Sequence, residues 1–456
     1  MRPHSWVNDT SKQMQETILI SPSFWGSPQD LSVIASTLRA KHTTDTLHIL
    51  VAKRNSGNYT YDGIELGGER VCQEIEEEIS SLKAQGCEIK KLSLVGYSLG
   101  GLVARYAVGL LNSKGVFETI TPVVSQVTSQ SPKINPLSSK KNFTTFVTPH
   151  LGVRAPLRGW QNSIWNIFGA RTLLTSGRQL FMIDDFRSTG RPLLSILADP
   201  DSIFIQGLSK FQRRTLYTNI VNDRSAVYYT TSISKTDPFT NLDKIDISYL
   251  QGYEDVILDP AIPIKLLDSE AQISQNKQKA KQLVQSTQTQ LLRLPFVLAL
   301  ISYIPIGILT VLINSSLQAL QSQQRIRAYE KGLTDIEPSH YRVPLLITNI
   351  QSTIGEVYES VNNAQSHEYL ASQAEEELQD SGVLVRNDES GFATLALAES
   401  QFKMIRALDE VGWRKCGVHI RKARHSHAAI IVRTEKESFG EGRVVLRHWV
   451  EEEFIL

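Results

Sequence analysis

Cysteine is scarce in this chain: only Cys72, Cys87 and Cys416 occur among its 456 residues. An odd and scattered set of this kind argues against a disulfide framework, and its spacing fits no metal site. The first fourteen residues also lack the apolar run that a secretory signal requires. We therefore expect a protein of a reducing, intracellular compartment that is not secreted.

Neither sign of charge prevails, since 48 Lys and Arg residues stand against 47 Asp and Glu, a net charge of +1. This balance provides no general attraction to phosphate backbones, so we expect no nucleic-acid partner. Apolar residues make up 41% of the chain and charged residues 21%, which is typical of a folded protein. No motif in the sequence implies a cofactor or a metal ion.

Short apolar runs alternate with helical patterns in the first quarter of the chain. The alternation predicts a mostly parallel sheet with helices on both faces, an α/β fold. Strands are predicted at Thr17–Ser21, Leu47–Ala52 and Lys91–Gly96, and helices at Leu31–Arg39, Gly68–Ala84 and Leu99–Leu111. Later strands are predicted at Phe143–Val147, Thr215–Val221, Val227–Ser232, Val418–Ile420 and Ala428–Arg433, and a closing helix or strand at Arg447–Leu456.

Changes in composition divide the chain into three predicted units. Residues 1–263 form the core, and residues 151–212, rich in Trp, Phe, Leu and Arg, form an inserted cap. Residues 264–340 form a hydrophobic insertion, and residues 341–456 complete the core domain.

The sharpest motif is Gly96-Tyr97-Ser98-Leu99-Gly100, between a predicted strand and a predicted helix. In this context G-x-S-x-G indicates a nucleophile elbow, a tight turn that lifts the serine hydroxyl above the sheet. Ser98 is then the candidate nucleophile. The N–H of Leu99, at the start of the helix, is a candidate donor to a developing oxyanion.

A serine nucleophile needs a base, and the base needs a carboxylate that orients it, in the chain order Ser, acid, His for this fold. Asp223 is the best acid candidate because it follows an apolar strand; Asp237, Asp255 and Asp259 are weaker. For the base we favour His427 over its neighbour His425, since small residues follow it in the C-terminal region. The other histidines that we considered, less favoured or structural, are His150, His340, His367 and His448.

Four motifs in this order resemble the serine esterase family known as DUF676, which contains fungal and other eukaryotic lipases and phospholipases of the α/β-hydrolase fold. The motifs are GYSLGGLVARYAVG, TPHLG, YTNIVNDRSAVYYTTSI and HSHAAIIVR. The resemblance implies that Ser98, Asp223 and His427 form the catalytic triad.

The chain departs from this family at one place. Pro22 and Ser23 stand where the family usually has a His-Gly pair. The following Trp25 and Gly26 match the family pattern. The resemblance makes the N–H of Phe24 the second oxyanion donor, next to a backbone that Pro22 restricts.

The block Leu294–Ile313 has no charged residue in twenty positions and is long enough to span a bilayer. A single crossing would separate His427 from Ser98, so we expect the block to dip into a membrane or lipid-droplet surface, or lie on it. The alternative is a buried core helix.

The leading functional hypothesis is an esterase that hydrolyses phospholipid or acylglycerol esters. The same triad would also serve an acyltransferase or a thioesterase. A catalytically weak lipid-surface binding or scaffold protein of the same fold is the third hypothesis, and the Pro22-Ser23 departure is its support.

Overall fold

The computed structural model describes most of the chain. The described residues are 16–21, 26–87, 89–119, 140–154, 174–267, 313–347, 368–380, 383–384 and 391–456. The strands are β1 Glu16–Ser21, β2 Leu47–Val51, β3 Lys91–Tyr97, β4 Lys140–Phe146, β5 Arg213–Asn219, β6 Ile245–Asp246, β7 Lys265–Leu266 and β8 Arg414–Val418.

The helices lie between these strands and after them. They are α1 Ser32–Lys41, α2 Ile64–Ala84, α3 Leu99–Ser113, α4 Val116–Thr119, α5 Thr175–Leu180, α6 Leu193–Leu197, α7 Ile203–Ser209 and α8 Tyr228–Thr231. They continue with α9 (313–330), α10 Ser372–Asp380, α11 Glu399–Val411, α12 Ser426–Ala429 and α13 Gly440–His448, and a π-helical turn, Trp449–Glu453, follows α13.

Six strands form one parallel sheet in the order β2-β1-β3-β4-β5-β8, and β6 and β7 form a separate antiparallel pair. The register aligns the carboxyl ends of neighbouring strands. Tyr97 pairs with Phe146, Phe146 with Tyr217, and Asn219 with Val418. The loops that follow β3, β4, β5 and β8 therefore meet at the same edge of the sheet.

Side chains of the sheet alternate between two apolar layers, as strand geometry requires. Leu92 and Leu94 of β3 pack with α2, α3, α7 and α11, whereas Val95 and Tyr97 pack on the other face with α1 and α13. The prediction of a mostly parallel sheet with helices on both faces is therefore confirmed.

Two of the predicted strands are wrong. Residues 227–232 contain α8, and residues 428–433 contain the end of α12 and a turn in which the N–H of Arg433 donates to the carbonyl of Ala428. Ile430 and Ile431 are both fully buried, and a short apolar run of this kind does not reveal its period. The strand predicted at 418–420 lies earlier, at β8. The prediction missed its beginning because the first residues of this edge strand are exposed and polar.

Part of the predicted cap lies against the core. Helix α7 falls within residues 151–212 and packs against α3, where the ring of Phe204 fits beside Gly109. A β-carbon on Gly109 would lie 2.3 Å from this ring, so the helices approach as closely as glycine permits. The boundaries of the cap, the insertion and the C-terminal unit stay predictions.

Helix α9, which follows the apolar block, is held to the core by a buried carboxylate. Asp62 accepts hydrogen bonds from the Ser322 hydroxyl and the Arg325 guanidinium, each at 2.7 Å, and pairs with Arg70 at 2.7 Å. A buried charge with these partners stabilises the docked position. Of the block Leu294–Ile313, only Ile313 lies within the described residues, and none of the described helices has the length and apolarity to cross a bilayer.

Another buried acid in this region, Glu69 of α2, leads to a prediction about stability. Burial is the main cause that raises the pKa of Glu69 to about 7, while Tyr329 and Arg187 act in the opposite direction. Below the ordinary pKa the carboxyl is neutral in both the folded and the unfolded state. As the pH rises towards 7 the unfolded chain ionises first, so the folded state loses stability, and the full cost is present above pH 7.

We therefore expect Glu69→Gln to raise the free energy of unfolding by about 2 to 3 kcal/mol at pH 8 and by much less at pH 5. Urea unfolding at both values measures this difference, with the exposed Glu77→Gln as the control. An equal effect of Glu69→Gln at both values would contradict the assignment.

Candidate active site

The turn at Ser98 has the strained geometry of a nucleophile elbow. Ser98 adopts φ 54° and ψ −126°, a conformation that side chains rarely take, directly between β3 and α3. The turn is closed by glycines. A β-carbon on Gly96 would lie 2.3 Å from the Cα of Gly101, and one on Gly101 would lie 2.0 Å from Thr148 Oγ1. Larger residues at either position would force the strand and the helix apart.

The structure brings Ser98, His427 and Asp223 together. His427 Nε2 lies 2.9 Å from Ser98 Oγ, and His427 Nδ1 lies 2.9 Å from Asp223 Oδ2. Ser98 follows β3, Asp223 follows β5 and His427 follows β8, so the aligned strand ends explain the meeting. The histidine side chain is 14% exposed and the carboxylate 2%, so the imidazole lies between the serine hydroxyl and a carboxylate protected from water.

Hydrogen bonds keep Asp223 ionised despite its burial. Burial alone would raise the pKa of this carboxyl, but the charge and hydrogen bond of His427 and the donors from Ala226 and Asn219 hold the pKa below its ordinary value. The N–H groups of Ser225 and Ala226 each donate to Oδ1 at 2.9 Å, and Asn219 Nδ2 donates to Oδ2 at 3.0 Å. A carboxylate fixed in this way can accept from the Nδ1–H of His427 and so direct Nε2 towards the serine.

The alternative base and acids lie elsewhere. His425 is exposed, and its backbone begins α12, where its carbonyl accepts from the N–H of Ala429. Asp237 and Asp259 accept from backbone N–H groups of their own turns, and Asp255 lies in a turn with φ 52°. The hydrogen bonds to Ser98 Oγ and His427 Nδ1 come instead from His427 and Asp223.

The other histidines have structural surroundings. His150 is fully buried between Arg105 Nη1, at 3.4 Å, and Thr145 Oγ1, at 3.1 Å. Burial, with Arg105 and Lys415, holds its pKa well below the ordinary value, so it stays neutral. His448 is buried against the Tyr217 hydroxyl, His340 is exposed, and His367 lies outside the described residues.

One of the two expected oxyanion donors is described. Leu99 begins α3, and its N–H belongs to the first helical turn, where N–H groups have no acceptor within the helix. It is therefore free of helical bonding and directly follows Ser98. Phe24, together with Pro22, Ser23 and Trp25, lies outside the described residues, so the role of its N–H stays a prediction.

Three residues of the site had not been predicted from the sequence. Tyr97 donates its hydroxyl to the carbonyl of His427 at 2.9 Å, the hydroxyl of Ser426 donates to the carbonyl of Val221 at 2.8 Å, and Asn219 supports Asp223. Each adjoins a candidate catalytic residue or shares its motif. Their places in the sequence could have indicated that they lie near the candidate catalytic residues. The sequence does not reveal which groups their side chains bond to.

No group of three His, Cys, Asp or Glu side chains within the described parts of the chain lies close enough to hold a metal ion. The parallel sheet, the strained serine turn and the acid and histidine after later strands define the α/β-hydrolase fold.

Comparison with known proteins gives a family match over the first half of the chain. Residues 15–236 match the model of the family described as "Putative serine esterase (DUF676)". The match confirms the resemblance, and three of the four motifs lie within the matched residues, whereas HSHAAIIVR lies after them.

Two fungal relatives are both named as putative lipases. One, from Schizosaccharomyces pombe, is 26% identical over 215 residues, which are 45% of this chain and 25% of the relative. The other, ROG1 of Saccharomyces cerevisiae, is 29% identical over 216 residues, which are 44% of this chain and 28% of the relative. The chain thus spans only about a quarter of the length of these relatives.

A solved structure, the phospholipase PlaB from Legionella pneumophila in complex with thio-NAD, overlaps with 47% of this chain and 41% of its own. The TM-score is 0.28 and the sequence identity is 9%, so the fold assignment rests on the sheet and the serine turn instead.

Proposed function

We propose that this protein is a serine hydrolase that cleaves carboxylic esters of lipids, with Ser98 as nucleophile, His427 as base and Asp223 as acid. The observation that carries the proposal is the unbroken chain of contacts Ser98 Oγ–His427 Nε2 and His427 Nδ1–Asp223 Oδ2, each at 2.9 Å. The family match to serine esterases supports the same reaction class.

The geometry supports a two-step reaction. His427 Nε2 takes the proton of Ser98 as Oγ attacks the ester carbonyl, and the N–H of Leu99 donates to the oxygen that becomes negative. Asp223 stays ionised and stabilises the imidazolium. When the intermediate collapses, His427 returns the proton to the alcohol, which leaves an acyl group on Ser98. Water activated by the same histidine then releases the carboxylic acid.

Lipid esters are the proposed substrate because both relatives are named lipases and because this chain carries the uncharged block Leu294–Ile313. We propose that the block attaches the protein to a membrane or lipid-droplet surface inside the cell. Residues up to 267 and from 313 onward contribute to one core, with Ser98 and His427 in one site. Attachment without a single crossing agrees with that site.

The test combines fractionation with an active-site label. The full chain is expressed in cells, the fractions are treated with a fluorophosphonate, and the labelled band is followed. We expect labelling in the membrane or lipid-droplet fraction that resists high salt and is released by detergent.

Release by salt alone would exclude an embedded block. Absence of labelling in a folded protein would contradict the proposed hydrolase function. It would favour the scaffold hypothesis, which the Pro22-Ser23 sequence supports. Acyl transfer and thioester cleavage would label equally, and product analysis with and without an added alcohol acceptor separates them from ester hydrolysis.

A further inference from the structure

The residue before the nucleophile contacts the base through its side chain. Tyr97 is the last residue of β3 and is fully buried, and its hydroxyl donates to the backbone carbonyl of His427 at 2.9 Å. The centroids of the two rings are 5.4 Å apart. Burial raises the pKa of the Tyr97 phenol, so the group stays protonated and remains a donor. Tyr97 therefore joins Ser98, through the peptide bond, to the segment that carries His427.

This segment is short, and tertiary contacts set its position. His427 lies in α12, a single turn of four residues, and is partly exposed. Its neighbour Ser426 is anchored to Val221, two residues before Asp223, by the 2.8 Å hydrogen bond. The Tyr97 hydroxyl supplies the matching anchor on the nucleophile side. The far end of the helix is packed through the buried Ala429, and the two hydrogen bonds restrict the end that carries His427.

The Tyr97 phenol is itself held by charged residues. Arg433 hydrogen-bonds to the Tyr97 side chain, and its Nη2 donates to Asp30 Oδ2 at 3.0 Å. Asp30 also accepts from the N–H of Ser27 at 2.7 Å, at the start of the short helical turn Pro28–Leu31. The arginine and aspartate side chains of the pair are only 29% and 18% exposed, which protects it from screening by solvent.

We propose that Tyr97 is a positioning residue of the triad: its hydroxyl sets the place of His427 relative to Ser98, and Arg433 and Asp30 hold that hydroxyl in line. This proposal rests on the proposed hydrolase function. The Tyr97 hydroxyl contacts the backbone of His427, so its effect passes through the position of that residue. Small displacements of a catalytic base are costly because proton transfer requires contact between the two atoms.

The experiment compares Tyr97→Phe with Tyr253→Phe in the full chain. Both changes remove the hydroxyl of a buried tyrosine, but that of Tyr253 donates to Glu452 on the terminal π-helical turn. For Tyr97→Phe we expect kcat for a nitrophenyl ester to fall about tenfold with an unchanged KM, and the rate of fluorophosphonate inactivation to fall by the same factor. Tyr253→Phe should change neither rate.

A second variant tests the path through Arg433. Arg433→Gln alone should lower kcat about threefold, and in the Tyr97→Phe background it should add little, since both changes act on the same hydroxyl. Multiplying effects would show that Arg433 acts independently and would overturn that part of the proposal.

A Tyr97→Phe variant with the kcat and inactivation rate of the wild type would overturn the positioning role. So would a loss of kcat no larger than that of Tyr253→Phe, when the two variants have equal urea midpoints. In either case an inactive Ser98→Ala variant leaves the proposed function standing. If the wild type itself neither hydrolyses esters nor takes the label, the proposed function fails, and the positioning role fails with it.

Discussion

Ser98→Ala is expected to lower kcat for ester hydrolysis by about 10⁵-fold while KM changes little. The alanine variant lacks Oγ, the atom that lies 2.9 Å from His427 Nε2 on the strained strand-to-helix turn. Without Oγ no acyl-enzyme forms, and only direct attack by water remains. The loss corresponds to about 7 kcal/mol of transition-state stabilisation.

The measurement uses short-chain and long-chain nitrophenyl esters and a phospholipid, with circular dichroism to confirm folding. Ser36→Ala is the matched control, because this serine hydroxyl donates only to the carbonyl of Val33 within α1 and lies outside the site. A preference of the wild type for long chains, abolished in Ser98→Ala, would support a lipid substrate.

Two other outcomes would decide against parts of the proposal. Substantial activity remaining in Ser98→Ala would contradict Ser98 as the nucleophile. A folded wild type that is already inactive would point to the oxyanion segment, where Pro22 and Ser23 stand in place of His-Gly, since loss of one donor costs about 10² to 10³ in rate.

The sequence is most informative about this site where local chemistry forces the structure. The glycines around Ser98 predict the tight turn, and the structure shows why: Gly96 and Gly101 lie too close to their neighbours for any β-carbon. The strands before Ser98 and Asp223 are buried over most of their length, and both lie close to their predicted bounds. Buried strands of parallel sheets commonly have this pattern.

The sequence is least informative where tertiary contacts bury a residue and the hydrophobic periodicity of the segment does not reveal its secondary structure. Residues 428–433 are apolar and β-branched like a strand, yet they turn, because Ile430 and Ile431 fill the layer between the sheet and α13 from a loop. Strand β8 begins with Arg414 and Lys415, which are exposed at the sheet edge; Arg414 pairs with Glu453. Neither feature can be deduced without the tertiary contacts.

The choice between His425 and His427 shows the same limit at the scale of one side chain. The two residues are separated by one position, and the sequence favoured the second only through the small residues after it. In the structure His427 follows Ser426, which is anchored to Val221 at the start of α12, and the carbonyl of His427 accepts from Tyr97. These contacts join residues more than two hundred positions apart along the chain.

His427→Ala and His425→Ala are therefore expected to differ by several orders of magnitude. The first variant removes the group 2.9 Å from both Ser98 Oγ and Asp223 Oδ2, and we expect kcat to fall by about 10⁴ to 10⁶-fold. The second removes an exposed imidazole outside these contacts and should retain nearly full activity. Steady-state hydrolysis of a nitrophenyl ester and the rate of fluorophosphonate labelling measure both.

The pair also separates catalysis from folding. Removing His427 leaves Asp223 buried, but its carboxylate keeps the two backbone donors and Asn219, so we expect the protein to stay folded. His427→Gln, which retains a side-chain donor, should be as inactive as His427→Ala because an amide does not accept the serine proton. Activity that survives in either His427 variant and disappears in His425→Ala would reverse the assignment of the base. Equal losses in all three, with lowered urea midpoints, would trace the effect to the stability of α12 instead.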